Sequence, residues 1–276
     1  MDLFLIYFPL CLAALLAGIV NALAGGGTLL TFPALKSALG RFGDLADSMA
    51  NGTSTIALGP ASLSSAWAYR REIAKVRHWL TLLLIPSLLG GGTGAWLAAE
   101  YPKQFRVLVP WLILLAALLF TLQPFITKRL ANANRPDDAV PSRWAQIAVV
   151  FAQLLIGLYG GYFGAGIGIL MLSTLGLMGL KNIHEMNALK SVLAGSINGM
   201  AIVIFVFKNL VVWDVALAMM ATSILGGYLG ARYGRLVKQQ YIRWFVIAVG
   251  FTLAAWYFYQ QFFAAPLTRS ASESEH

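Results

Sequence analysis

The sequence predicts an all-α polytopic membrane protein made of two homologous, inverted repeats. Three observations predict it. Of 276 residues, 59% are hydrophobic and only 11% charged, with a mean hydropathy of +0.72, a balance foreign to a soluble domain of this size. Apolar runs near the ~20 residues that carry a helix across ~30 Å of hydrocarbon recur along the whole chain. A stretch interrupted by three consecutive glycines, residues 18–33, has a counterpart at 157–169. Gly18, Gly25 and Gly27 align with Gly157, Gly164 and Gly166, all 139 positions apart.

Each repeat reads as a glycine-broken helix or hairpin followed by three transmembrane helices. The first occupies 1–126, with apolar runs at 3–24, 28–39, 48–69, 79–99 and 107–126. The run at 3–24 lacks a basic leader and a small-residue cleavage site, so it reads as a retained first span. The second repeat occupies 145–263, with runs at 145–163, 167–180, 187–207, 212–231 and 243–263. The pieces at 28–39 and 167–180 are too short for a full crossing and read as half-helices or as the returning arm of a hairpin. Between the repeats, 127–144 is a polar linker with two prolines. The tail, 264–276, is rich in Ser and Glu and is expected to be disordered. The duplication extends past the glycines: Asn51 aligns with Lys190 at the same offset. The segment from Leu89 aligns with that from Leu225 at an offset of 136.

Topology turns on the broken segments. If each crosses once, the 20 Lys and Arg residues split ten against ten between the two sides. If each goes in and comes back, the repeats are inverted and the split is fourteen against six, the asymmetry that the positive-inside rule describes. One side then holds the basic loop from Arg70 to His78, read as a topology signal and lipid-headgroup contact. Lys36, Arg41, Lys103, Arg106, Lys208 and Arg269 fall on the other side, together with both termini.

A helix broken inside a bilayer frees backbone groups that lipid cannot satisfy, so breaks are tolerated where protein or a wet cavity covers them. Matched breaks in two halves point to a transporter's binding site. The half-helix starts at Gly25, Gly26, Gly27 and Thr28, and at Gly164 and Gly166, offer free N–H groups and a partial positive charge, which suits an oxyanion. Polar stripes follow at helical spacing: Asp47, Asn51, Ser54, Ser62 and Ser65, with Thr53 and Thr55 beside them, then Asn187, Lys190, Ser191 and Asn198. Lys190 either contacts the anion or snorkels to the interface. Asp47 and Glu185 read as solvated helix caps, with proton coupling as the lesser alternative. Elsewhere the plainer reading holds. The pairs Gly90/Gly94, Gly157/Gly161 and Gly226/Gly230 have the spacing of packing glycines, and hydroxyls within spans commonly bond the carbonyl one turn back.

Several classes are excluded. The net charge of +9 comes from clusters between spans, where topology signals belong, so no nucleic-acid partner is implied. One cysteine and three scattered histidines give neither a disulfide nor a metal cluster. No nucleotide-binding loop and no hydrolase motif is present, so neither an ATPase nor an enzyme is indicated, and no cofactor is expected. No span carries the carboxylates of a divalent-cation carrier. A carrier for another solute, such as a carboxylate or a metal ion, and a gated channel stay open as alternatives.

The residues from Asn21 to Leu35, followed by Ala50-Asn51-Gly52-Thr53-Ser54, resemble the first repeat of the sulfite exporter TauE/SafE family. The segment from Gly161 to Gly168, with Asn187 to Ser191, is similar to its second. The resemblance covers nearly the whole chain to about residue 263. It implies a bacterial inner-membrane permease for sulfur-containing anions such as sulfite and organosulfonates. The family's motifs fall on Gly25, Gly26, Gly27, Pro33, Asn51, Thr53 and Ser54, and on Gly164, Gly166, Asn187, Lys190 and Ser191. One departure is Leu172 where the first repeat has Pro33. The expected partners are a small anion, membrane lipids and possible coupling protons.

Overall fold

The structure, a computed structural model, describes residues 3–23, 26–68, 70–131, 143–177, 180, 183–233 and 239–264. Among them every regular element is helical. The first half supplies α1 (Leu3–Leu23), α2 (Thr28–Ala38), α3 (Ala46–Ala68), α4 (Arg77–Glu100) and α5 (Pro102–Ala131). The second supplies α6 (Arg143–Tyr162), α7 (Ile167–Leu177), α8 (Ile183–Phe207), α9 (Trp213–Tyr233) and α10 (Gln239–Tyr259). Each apolar run has become one helix. Where bounds differ, polar residues with work to do explain it. Helix α5 starts at Pro102, which needs no N–H partner at the first helical position, and its first turns carry Lys103 and Arg106 into ion pairs. It also continues to Ala131, into the stretch expected as linker; the rest of that stretch and the tail from 265 lie outside the described residues.

Among the described residues, five segments are long and apolar enough to cross a membrane: Leu5–Ala22, Ala74–Glu100, Pro102–Phe125, Glu185–Phe207 and Gln240–Phe263. Gln146–Tyr162 and Ile167–Gly176 are shorter apolar helices. Helix α3 is not among them, although it was expected to span. At 23 residues it is long enough, but its Asp, Asn, Ser and Thr side chains dilute its hydropathy. Protein sheathes it, burying residues 46–54 throughout, so it needs no apolar coat. The outward faces of the bundle are apolar instead, with Phe207, Trp144, Phe125 and Ile85 all well exposed, a surface that a bilayer accommodates and water does not.

The two halves interlock. Helix α1 lies along α9, and α4 lies along α6, each pair joining one half to the other. Both seams are backbone on backbone. A Cβ on Gly18 would run into Ser223 O, one on Gly226 into Leu15 O, and ones on Gly94 and Gly161 into Leu158 O and Gly91 O. The small-residue pairs are therefore packing glycines, as their spacing predicts. Leu15 faces Gly226 and Ile19 faces Gly230, so α1 and α9 run parallel; Gly90 near Leu154 and Gly94 near Leu158 make α4 and α6 parallel too. At the centre α3 crosses α8 in the opposite sense, Gly52 backing on Phe205 and Gly59 on Ile202. Helices α5 and α10 are also antiparallel, with Val107 near Gln261, Trp111 against Phe258 and Ala117 beside Gly250. Hydroxyls in the spans mostly bond the carbonyl one turn back: Thr55 to Asn51, Ser87 to Leu83, Ser173 to Ile169.

Candidate functional site

Both glycine breaks are real, and both reverse the chain. In the first, Gly26 has φ +119°, a conformation that only glycine adopts without strain. A Cβ on Gly27 would lie 2.6 Å from Ala17 O. An unbroken helix would hold residues ten apart at about 15 Å, so the chain has turned back on α1. In the second, Gly164 and Gly166 have φ +81° and +80°, and a Cβ on Gly160 would sit 3.1 Å from the Ile167 side chain. The turns are tied locally. Gly26 N donates to Asn21 Oδ1 at 3.4 Å, Gly164 N donates to Tyr159 O at 3.3 Å, and Tyr159 Oη donates to Ala165 O at 2.7 Å.

The breaks meet on α5. Gly26 abuts the Phe120 ring, while Gly166 rests 3.5 Å from Leu119 and 3.9 Å from Ala116, measured from a Cβ built on it. These α5 residues span little more than one turn. Nothing in the sequence marked Phe120, because a phenylalanine in an apolar span looks like every other lipid-facing or core residue.

The polar set divides between the halves. On α3, Asn51, Thr53 and Ser54 are all buried. Asn51 Nδ2 donates to Tyr162 O at 2.9 Å, at the mouth of the second break, and Asn51 Oδ1 has no partner among the described residues. Thr53 Oγ1 accepts the Val212 amide at 3.2 Å. Ser54 and Thr31 share a 2.6 Å hydrogen bond, and Thr31 also donates to Gly27 O. In the second half, Ser191 is buried, and Asn187, Lys190 and Asn198 are half-buried. The Lys190 stem packs on Gly168 in the first turn of α7, and its ammonium makes no ion pair or hydrogen bond among the described residues. The residue lies two turns inside α8. Asn198 sits eight residues, about 12 Å, further along α8. Thr28 opens α2 without acting as its cap; Gly25 and the side chains of Ser62 and Ser65 lie outside the described residues.

Asp47 corrects one expectation. It is 1% exposed rather than solvated. Lys36 Nζ lies 2.7 Å from its Oδ1, an ion pair rather than a well-directed hydrogen bond, and Arg106 Nε donates to its Oδ2 at 3.2 Å. Arg106 also pairs with Asp44, and the Lys36 ammonium stands 4.5 Å over the Tyr257 ring. Just inside this cluster, aromatic rings pack edge to face between it and the second break. Phe32 meets Phe163 at 5.4 Å and Phe105 at 6.3 Å between centroids, and Phe105 meets Tyr162 at 5.2 Å. At the same end, Lys208 pairs with Glu100, and Tyr7 donates to Asp214 at 2.7 Å.

Known proteins match this architecture along most of its length. A membrane transporter protein of Haemophilus influenzae, described as probable, is 29% identical over 249 residues, covering 89% of this chain and 91% of its own. The probable membrane transporter protein ORF9 of a Sinorhizobium species is 30% identical over 251 residues, 89% of each chain. The probable membrane transporter protein YfcA of Escherichia coli K12 is 26% identical over 246 residues, 88% of this chain and 86% of its own. No solved structure matches the chain. The sulfite exporter TauE/SafE family model matches residues 10–257, and with glycine-broken hairpins meeting inside an all-helical bundle, this chain belongs to that family of membrane transporters and is not an enzyme.

Proposed function

We propose that the protein is a secondary carrier of a small sulfur-containing anion, sulfite or an organosulfonate, across the bacterial inner membrane. The observation that carries this reading is Lys190, an ammonium without a partner among the described residues, set on the first turn of α7. There the turn's free amides and positive dipole end favour the same negative guest. Gly164 and Gly166 give the backbone its shape, and Asn51, Asn187 and Ser191 line the approach from α3 and α8.

The carrier works by alternating access between inverted halves. Supporting this, counterpart helices run oppositely where they touch, α3 against α8 and α5 against α10. Lys36, Lys103, Arg106 and Lys208 also gather at one end of the bundle among acidic partners. That end, poor in basic residues overall, faces outward by the positive-inside rule, and the aromatic rings beneath it seal the site from outside. Protons as coupling ion would have to use Asp47 or Glu185, and Asp47 is already clamped between Lys36 and Arg106.

The test is counterflow in proteoliposomes with labelled sulfite, organosulfonates and carboxylates. Saturable counterflow of the sulfur anions, reduced in Lys190→Gln, is the expected result. Linear, non-saturating flux would make the protein a channel, and preference for carboxylates would reassign the substrate.

A further inference from the structure

We infer that the anion taken by this site also carries a hydrogen-bond donor, which Asn51 Oδ1 receives. This deepens, and rests on, the anion-carrier reading above. The orientation of the Asn51 amide is fixed by its neighbour. A carbonyl can only accept, so the group facing Tyr162 O at 2.9 Å must be Nδ2. The atom left over is an acceptor, 1% exposed at the residue level and without a partner among the described residues. Buried acceptors are as a rule satisfied. The nearby polar groups on α3 do not serve it, since Thr53 holds the Val212 amide and Ser54 holds Thr31.

The same break therefore presents two open valences of opposite kind: the Asn51 oxygen beside Tyr162, and the Lys190 ammonium beside Gly168. A bare metal ion would suit the oxygen but meet the ammonium's charge. An anion with no donor would suit the ammonium and the helix-start amides but set its own oxygens against the Asn51 oxygen. A ligand with negative oxygens at one end and an O–H or N–H at the other satisfies both. Hydroxy- or amino-substituted sulfonates and singly protonated oxyanions are of this kind.

The test uses purified full-length protein in nanodiscs and equilibrium dialysis with three labelled probes: 2-hydroxyethanesulfonate, ethanesulfonate and 2-methoxyethanesulfonate. All carry one negative charge, and only the first donates. Wild-type protein should bind the hydroxy probe about 3- to 10-fold more tightly than either other. Asn51→Ala should level the three, whereas Ser48→Ala, which removes a buried bond to Ala98 O on the same helix, should keep the preference. If Asn51→Ala fails to fold, the wild-type contrast between the hydroxy and methoxy probes still decides. Equal binding of all three, still weakened by Lys190→Gln, leaves the anion site standing and overturns the donor, the Asn51 oxygen then being met by water. Sodium-dependent binding without hydroxy preference overturns it in favour of a coupling cation. Binding of none overturns the anion site as well.

Discussion

The two halves solve one problem with opposite chemistry. In the first, the returning arm is fastened to the next helix by polar pairs, Thr31 to Ser54 and Lys36 to Asp47. At the positions 139 residues later stand Leu170, Leu193, Leu175 and Met186, all gathered in one apolar cluster. Phe32, which packs on Phe163 and Phe105, corresponds to Met171. Asn51 corresponds to Lys190. The first break is filled by the Phe120 ring and its polar groups are spoken for. The second is held by oil, and its Lys190 ammonium has no partner among the described residues. A duplicated scaffold thus fastens its two returning arms differently, one by polar pairs and one by apolar packing.

That contrast can be broken or sharpened by substitution. Gly26→Ala should have the largest effect. It combines a strained positive φ with a collision against Phe120, together about 3–5 kcal/mol. Gly166→Ala has the same backbone strain but its nearest neighbour is 3.5 Å away, so about 1–2 kcal/mol is expected. Thermal unfolding in detergent compares them, and Phe120→Ala should rescue part of the first loss and none of the second. Lys190→Gln comes next. It should weaken anion binding by about 10- to 100-fold, the worth of a charge-assisted bond, with little change in melting temperature. Normal uptake by that variant would move binding away from the second break. Asp47→Asn should lower stability by about 1–2 kcal/mol, less than a fully buried pair because Lys36 and Arg106 keep some water; chemical unfolding measures it. Lys208→Ala, at an exposed pair with Glu100, should change stability by no more than about 0.5 kcal/mol, and a larger loss would mean the outer end is bound more tightly than its exposure implies.

Much of this was legible beforehand, for physical reasons. Hydropathy reports which helices meet lipid, so the run at 79–99 became Arg77–Glu100 and that at 243–263 became Gln239–Tyr259 with the turn beyond it. Glycine clusters report where a helix cannot continue, and both breaks fell there. What periodicity cannot report is who covers a face. Asp47 looked like a surface cap because its cover, Lys36 and Arg106, arrives from 11 and 59 positions away. Asn51 looked like a donor to a ligand, yet its N–H is turned to a carbonyl 111 residues on. Helix α3 read as a span with a polar stripe on one face, while its burial over residues 46–54 depends on helices from both halves.

The glycine seams carry a mechanical consequence. Where α1 meets α9 and α4 meets α6, glycines bring main chain against main chain, beside the side-chain bonds from Tyr7 to Asp214 and from Gln153 to Ser87. Ordinary helix pairs mesh like gears, ridge into groove. At their glycines these meet backbone to backbone instead. Such contacts hold two bodies close by many weak attractions, and the glycines set the spacing: a Cβ on Gly18, Gly94, Gly161 or Gly226 would strike a facing carbonyl oxygen, so any side chain there would wedge the halves apart.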